Sequence, residues 1–263
     1  MKPKKSLGQN FLTSIPARIA IVNAGNLTSS DTVLEIGPGK GFLTKGLLET
    51  GAKVIALEKD KELLPILTKQ FSSYKNFTLT EGDALLSEPP HKKYKLIANI
   101  PYYITGAILE RYLSHKYQPE QMVVLIQQEV AERIVARNGK KSARGGSASG
   151  GKESILSLAV KVYGDTKIVY RVKRGSFNPI PNVDSAVLSI TNISRKNFIN
   201  KKHEETFFKI IKAGFAHKRK YLISNLKESF PEINWQKLFI KNNLNEKIRA
   251  EDLTLPLWLT LAK

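Results

Sequence analysis

What most constrains the fold of this chain is a rhythm in its first half: short apolar runs at residues 31–36, 53–57, 77–80, 95–98 and 122–126, separated by stretches of helical character. Each run is too short for a helix, and the spacing suits a helical crossover rather than a hairpin. Successive runs are therefore predicted to lie parallel in one sheet with helices on both faces. Two further runs, 167–172 and 183–190, follow with no clear helix between them and are predicted to pair antiparallel at one sheet edge. From about His203 the period becomes helical, with Phe208, Ile211, Phe215 and Leu222 at core-facing offsets and Lys209, Lys212 and Lys220 gathered on another side. The expected fold class is α/β: a Rossmann-like, mostly parallel sheet with an antiparallel edge over residues 1–195, then a small all-helical domain over 196–263. A Gly-Gly-Ser-Ala-Ser-Gly-Gly tract at 145–151 has the composition of a flexible connector.

Charge narrows the partner. Lys and Arg number 42 against 23 Asp and Glu, a formal net charge of +19, which favours a polyanion, nucleic acid first, over an acidic small molecule or a lipid surface. The surplus is spread along the chain: from Lys196 onward 14 basic residues face 7 acidic ones. Both halves are therefore expected to contribute to a binding surface. There is no cysteine, which excludes a disulfide scaffold, a thiolate metal site and a cysteine nucleophile. With no apolar run of signal-peptide or membrane-spanning length, the expected location is the cytoplasm, away from membranes. The four histidines, His91, His115, His203 and His217, lack metal-ligand spacing, are expected to be scattered surface residues, and imply no metal.

The chemistry-bearing residues stand where predicted strands end, which is where open α/β sheets bind ligands. Glu35-Ile36-Gly37-Pro38-Gly39-Lys40-Gly41 joins the first run to a predicted helix. Such glycine turns let backbone approach a ligand, and serve dinucleotides, methyl donors and plain bends alike. The second run ends at Glu58, whose two carboxylate oxygens can accept from two ribose hydroxyls. The third ends at Gly82-Asp83, where Asp83 can accept from an adenine amine. The fourth runs into Asn99-Ile100-Pro101-Tyr102, which separates a methyltransferase from a dehydrogenase. An adenine amine is a poor nucleophile because its lone pair is delocalised into the ring, and it reacts once both hydrogens are held by acceptors. Asn99 can supply a side-chain carbonyl, and Pro101, with fixed φ and no N–H, helps aim the Ile100 carbonyl at the second hydrogen. Tyr102 offers a stacking face. The methylated ammonium loses its proton to water, so no general base is required and positioning carries the rate.

Together with these motifs, the opening Lys4-Lys5-Ser6-Leu7-Gly8-Gln9-Asn10-Phe11-Leu12, the segment Phe177-Asn178-Pro179-Ile180-Pro181-Asn182-Val183-Asp184-Ser185-Ala186-Val187, and Phe215-Ala216-His217-Lys218-Arg219-Lys220 make nearly the whole chain resemble the ribosomal RNA adenine N6-dimethyltransferase family. Within that family it resembles the branch that dimethylates two adjacent adenosines near the 3′ end of small-subunit (16S) ribosomal RNA during ribosome biogenesis. The resemblance implies a class I methyltransferase fold and S-adenosyl-L-methionine as cofactor. It implies that Asn10 and Leu12 line the cofactor cleft, Gly37 approaches the methionine end, Glu58 the ribose, Asp83 the adenine and Asn99 the reacting centre. Phe177 would stack on the target adenine opposite Tyr102, an arrangement suited to an extruded base. Lys218, Arg219 and Lys220 would contact RNA phosphates, and a monomer acting on immature 30S particles is expected.

The sequence departs from the pattern in three places: Tyr103 stands where the family has Asn, the glycine-serine tract replaces a shorter link, and Lys40 and Phe42 vary the glycine turn as in the relatives that methylate large-subunit (23S) RNA in macrolide resistance. Those relatives are the alternative enzyme reading. The alternative without chemistry is a small-subunit assembly factor, which would need the basic surfaces but not Glu58, Asp83 and the Asn99–Tyr102 motif.

Overall fold

The computed structural model describes residues 3–4, 7–136 and 152–263. The glycine-serine tract at 145–151, and Lys5 and Ser6 of the opening motif, lie outside the described residues. The described chain forms two compact units, Met1–Glu132 with Gly164–Ile193, and Arg133–Tyr163 with Ser194–Lys263. The sequence reading drew one boundary, between 195 and 196, and assigned 133–163 to the first domain. Here the described residues among them, 133–136 and 152–163, belong to the helical unit.

The first unit begins with a two-residue strand β1 (Phe11–Leu12) and helix α1 (Ile15–Gly25), whose start is capped by the Ser14 side chain accepting from Ala17 N. Strands β2 (Thr32–Ile36), β3 (Lys53–Glu58), β4 (Phe77–Glu81), β5 (Lys95–Asn99) and β6 (Gln121–Gln127) alternate with α2 (Phe42–Leu48), α3 (Leu64–Gln70) and α4 (Thr105–Ser114). After α5 (Gln128–Val135), in chain order, come α6 (Ile155–Lys161) of the second unit and then strands β7 (Asp165–Val172), β8 (Phe177–Asn178) and β9 (Ser185–Thr191) of the first. Seven strands form one sheet in the order β4-β3-β2-β5-β6-β9-β7, and β1 pairs with β8 apart from it.

The pairings β2–β3, β3–β4, β2–β5 and β5–β6 are parallel, and β9 runs antiparallel to both β6 and β7. This is the predicted mostly parallel sheet with an antiparallel edge, refined in one respect: β9 inserts between β6 and β7, leaving β7 outermost. Burial explains the sequence pattern. Met122, Val123, Val124, Leu125 and Ile126 of β6 are all fully buried, as a parallel strand covered on both faces requires. The edge strand β7 instead exposes Lys167, Val169 and Arg171, and its basic side chains discourage pairing with another chain. Chain order reverses between β2 and β5, so the switch point of the sheet opens there, at the strands' C-terminal ends.

The second unit is helical, with α6, α7 (Lys201–Gly214), α8 (Leu222–Ser229), α9 (Trp235–Lys241) and α10 (Leu255–Leu261). Its core holds Phe207, Ile210, Ile211, Leu226, Trp235, Phe239 and Trp258. Of the residues expected at its core positions, Ile211 and Leu222 are buried, whereas Phe208 and Phe215 are only half-buried. His203 corrects the expectation of surface histidines. It is 6 % exposed, and because Nδ1 accepts from Ile199 N, Nε2 must carry the proton and donate to the Leu259 carbonyl.

Candidate active site

A cavity opens at the switch point, lined by the glycine turn after β2, the ends of β3 and β5, the turn after β4 and the segment that precedes α1. Asn10, Leu12, Gly37, Glu58, Asp83, Asn99, Ile100, Pro101 and Tyr102 all line it. Residues from four strand ends and the N-terminal segment thus converge, as the sequence reading expected.

Asn99 ends β5 and donates through Nδ2 to the Asn10 carbonyl at 3.0 Å. A backbone carbonyl can only accept, so this bond fixes which way the amide faces and leaves Oδ1 as an oriented acceptor. Ile100, 1 % exposed, lines the cavity next to Asn99. Pro101, at φ −54° and ψ 132°, starts a 3-10 turn over Tyr102–Ile104. The Tyr102 ring is half-buried, and its hydroxyl lies 2.7 Å from Ser185 Oγ. Burial raises the Tyr102 pKa, with the Ser185 hydrogen bond opposing, so the phenol stays protonated.

At the other end of the cavity, Glu58 Oε1 accepts from Asp60 N at 2.8 Å and Oε2 from Gly39 N at 3.1 Å. Each oxygen retains a further lone pair for a ligand hydroxyl. Burial raises the Glu58 pKa against these backbone hydrogen bonds. Asp83 is held by Leu85 N at 2.9 Å and by Lys59 Nζ at 2.8 Å, and the lysine holds its pKa below the ordinary carboxylate value. Gly37 has φ +64°, and a Cβ built there would meet nothing within 4 Å, so its bare backbone faces open cavity.

Two buried acidic residues, one lining the cavity and one beside it, were given no role by the sequence reading. Glu35 is 1 % exposed, and among the described residues neither of its carboxyl oxygens has a partner in hydrogen-bond geometry. Burial pushes its pKa up to about 8, the Thr44 hydroxyl nearby partly opposing and the charge of Glu58 adding to the rise. Asp60, 3 % exposed, takes Lys4 Nζ at 2.7 Å on one oxygen and Gln9 Nε2 at 2.8 Å on the other, and so fastens the N-terminal segment beside Glu58. The departures from the family pattern also acquire a place. Lys40 Nζ sits 4.9 Å from the centroid of the Phe11 ring, Arg18 packs over Phe42, and the Tyr103 ring lies against Gly8.

Phe177 is a correction. It is 3 % exposed, belongs to the main apolar cluster and does not line the cavity. Its strand β8 pairs with β1 so that Phe177 sits opposite Leu12, and both side chains turn into the core. Lys218, Arg219 and Lys220 lie in the second unit, exposed on the turn between α7 and α8 rather than on a helix face. Lys220 pairs with Glu228 at 2.9 Å, and Lys218 and Arg219 have no ion-pair partner among the described residues. Among those residues no group of three or more His, Cys, Asp or Glu is placed to hold a metal, and no helix is long and apolar enough to cross a membrane.

These residues fit S-adenosylmethionine. A net cationic ligand would meet the carboxylates of Glu58 and Asp83 in one cavity, ribose hydroxyls would find a carboxylate with spare lone pairs, and Gly37 leaves room for the backbone-proximal methionine end.

Comparison with known proteins agrees. The family profile described as "Ribosomal RNA adenine dimethylase" matches residues 1–263. The chain is 39 % identical over 273 residues to "Ribosomal RNA small subunit methyltransferase A" of Fusobacterium nucleatum, covering 100 % of this chain and 97 % of that one. The protein of the same description from Lactococcus lactis is 40 % identical over 273 residues, covering 98 % of this chain and 88 % of that one. Among solved structures, a dimethyladenosine transferase from Plasmodium falciparum superposes with a TM-score of 0.78 at 26 % identity over 95 % of each chain. The 23S rRNA methyltransferase ErmE shares the fold, with a TM-score of 0.75 at 24 % identity over 96 % of this chain and 98 % of that one. With the profile matched from end to end and two full-length relatives near 40 % identity, the chain belongs to the ribosomal RNA adenine dimethylase family.

Proposed function

We propose that this protein transfers methyl groups from S-adenosylmethionine to the N6 amines of two adjacent adenosines near the 3′ end of small-subunit ribosomal RNA. On this reading it acts as a cytoplasmic monomer on immature small subunits. The observation that carries the proposal is Asn99: its amide nitrogen is committed to the Asn10 carbonyl, so its oxygen is presented at the strand tip opposite the glycine turn and Glu58. S-adenosylmethionine supplies an electrophilic methyl group on a sulfonium. The chain's own work is to bind and orient. Glu58 holds ribose hydroxyls, Asp83 accepts from the donor's adenine amine, and Gly37 lets the methionine end lie against backbone. Asn99 Oδ1 and the Ile100 carbonyl grip the two hydrogens of the target amine, favouring the pyramidal nitrogen whose lone pair can attack. Tyr102 replaces part of the stacking that an extruded base loses. Because the amine needs alignment rather than deprotonation before attack, rate comes from fixed acceptors.

The test is incubation of unmethylated small subunits and of naked large-subunit RNA with labelled donor, followed by mapping of the modified adenosines. Label on a small-subunit adenosine pair supports the proposal. Label on large-subunit RNA would transfer the chain to the macrolide-resistance type, and retention of small subunits without label would make it an assembly factor. Asn99→Ala is expected to lower transfer by more than about 100-fold, since it deletes a preorganised acceptor, while small-subunit retention stays near wild type. Joint loss of transfer and retention would assign Asn99 to structure alone.

A further inference from the structure

Ser185 opens β9, whose buried residues are apolar apart from it and Ser189, and is itself fully buried. An alanine would pack there as well, so the hydroxyl calls for an account, because a buried hydroxyl without a partner is costly. Its partner is the Tyr102 hydroxyl at 2.7 Å. Tyr102 stands in the turn that follows β5, and β6 lies between β5 and β9, so the bond reaches across a whole strand. The backbone of Ser185 is in turn held from both sides, opposite Gln127 of β6 and Val172 of β7. It is a rigid point at the sheet's C-terminal end.

From this geometry we infer that Ser185 is a positioning residue for methyl transfer, aiming the Tyr102 ring at the target base. The inference rests on the proposed function and deepens it. A tyrosine hydroxyl lies on the axis about which its ring flips. Anchoring the hydroxyl therefore fixes the direction of that axis while leaving flips free. At its other end the ring is fixed by the 3-10 turn, where Ile104 N donates to the Pro101 carbonyl at 3.2 Å. Held at both ends, the ring keeps one tilt relative to Asn99, three residues earlier on the same motif, and a base stacked on it is held at the height where Asn99 Oδ1 meets its amine. Ser185 does not line the donor cavity, so its influence falls on transfer and not on donor binding.

The experiment compares Ser185→Ala, Tyr102→Phe and the double variant in single-turnover methylation of unmethylated small subunits at saturating donor. Binding of S-adenosylhomocysteine is read in parallel by calorimetry. Each single variant is expected to slow transfer about fivefold, the worth of one net hydrogen bond, with the double variant no slower than either. Donor-site affinity is expected to stay within about twofold throughout. Multiplying losses in the double variant, or Ser185→Ala at the wild-type rate, would overturn the inference. Should Ser185→Ala melt, Tyr102→Phe leaves β9 untouched and keeps the ring's stacking face; a wild-type rate for it is equally fatal. Wild-type protein that transfers no methyl group would overturn the proposed function and this inference with it, whereas an active wild type with an indifferent Ser185 overturns the inference alone.

Discussion

Glu35 sits under the glycine turn as a carboxyl group sealed from water, with its pKa pushed up to about 8 from 4.5. In the folded protein it is protonated through a range where the unfolded chain would be ionised, so the unfolded state binds fewer protons there. Its contribution to stability is therefore complete below pH 4.5 and drains away as pH rises towards about 8, with a limiting slope of about 1.4 kcal/mol per pH unit. Glu35→Gln is expected to flatten that decline. Melting temperatures of wild type and variant should diverge between about pH 5 and about pH 8.5, the variant gaining at the alkaline end; parallel curves would mean that Glu35 is solvated. The glycine turn around it was legible because its residue types at a strand end have few uses, and Glu58, Asp83 and Asn99 were legible because parallel strands deliver their C-terminal residues to one place. Glu35 itself was not, since nothing in the sequence tells an alternating strand position facing helix α2 from one facing solvent. Ser185 and Asp60 were hidden for another reason: their partners lie 83 and 56 residues away, and a serine in a mostly apolar run or an aspartate in a charged run carries no periodic signal.

The element that assembles the site is the segment leading into α1. It is tied at one end by Lys4 and Gln9 to Asp60, in the middle by the Asn10 carbonyl to Asn99, and at its far end by β1 to β8, where Thr13 N also donates to the Ser176 carbonyl at 2.8 Å. These ties join the Glu58 end of the cavity to the Asn99 end through one short stretch of backbone. Asp60→Asn keeps the shape of the side chain but removes the charge that Lys4 meets and places an NH2 group where one of the two donors now points. It is expected to weaken S-adenosylhomocysteine binding about tenfold and to raise amide exchange over residues 7–12 while the main sheet stays protected. Unchanged exchange there would show that β1 alone secures the segment. A two-residue strand is below the length at which alternation can be read, and this is why the pairing of β1 with β8 was invisible; the expectation that Phe177 stacks on the target base came from the family resemblance, whereas the residues alone favoured a strand-end core aromatic. Once Phe177 stands opposite Leu12, its ring is committed to the core. The long elements behaved otherwise: β6 announced itself through an unbroken apolar run, and β9 through one interrupted at Ser189.

For the molecule as a whole, the net charge of +19 is shared by both units rather than concentrated in a tail. Replacing Lys218, Arg219 and Lys220 together by neutral residues is expected to weaken RNA binding and to flatten the dependence of log affinity on log salt by about 2, since each phosphate contact contributes roughly 0.7–0.9 and Lys220 already shares its charge with Glu228. A salt slope identical to wild type would assign these side chains to solvent. The boundary read between 195 and 196 lies two residues from the last of the three between the units, at 193/194, and it was read because hydrophobic period changes there. The membership of Arg133–Tyr163 in the helical unit was not, because it rests on where α6 packs rather than on any change of composition. The N-terminal ties have a last consequence for how such a molecule comes into being. Thr13 is synthesised 163 residues before Ser176, its hydrogen-bond acceptor. A nascent chain can tie this segment to Asp60 and Asn99 early, but its β1 end stays unpaired until β8 has cleared the exit tunnel.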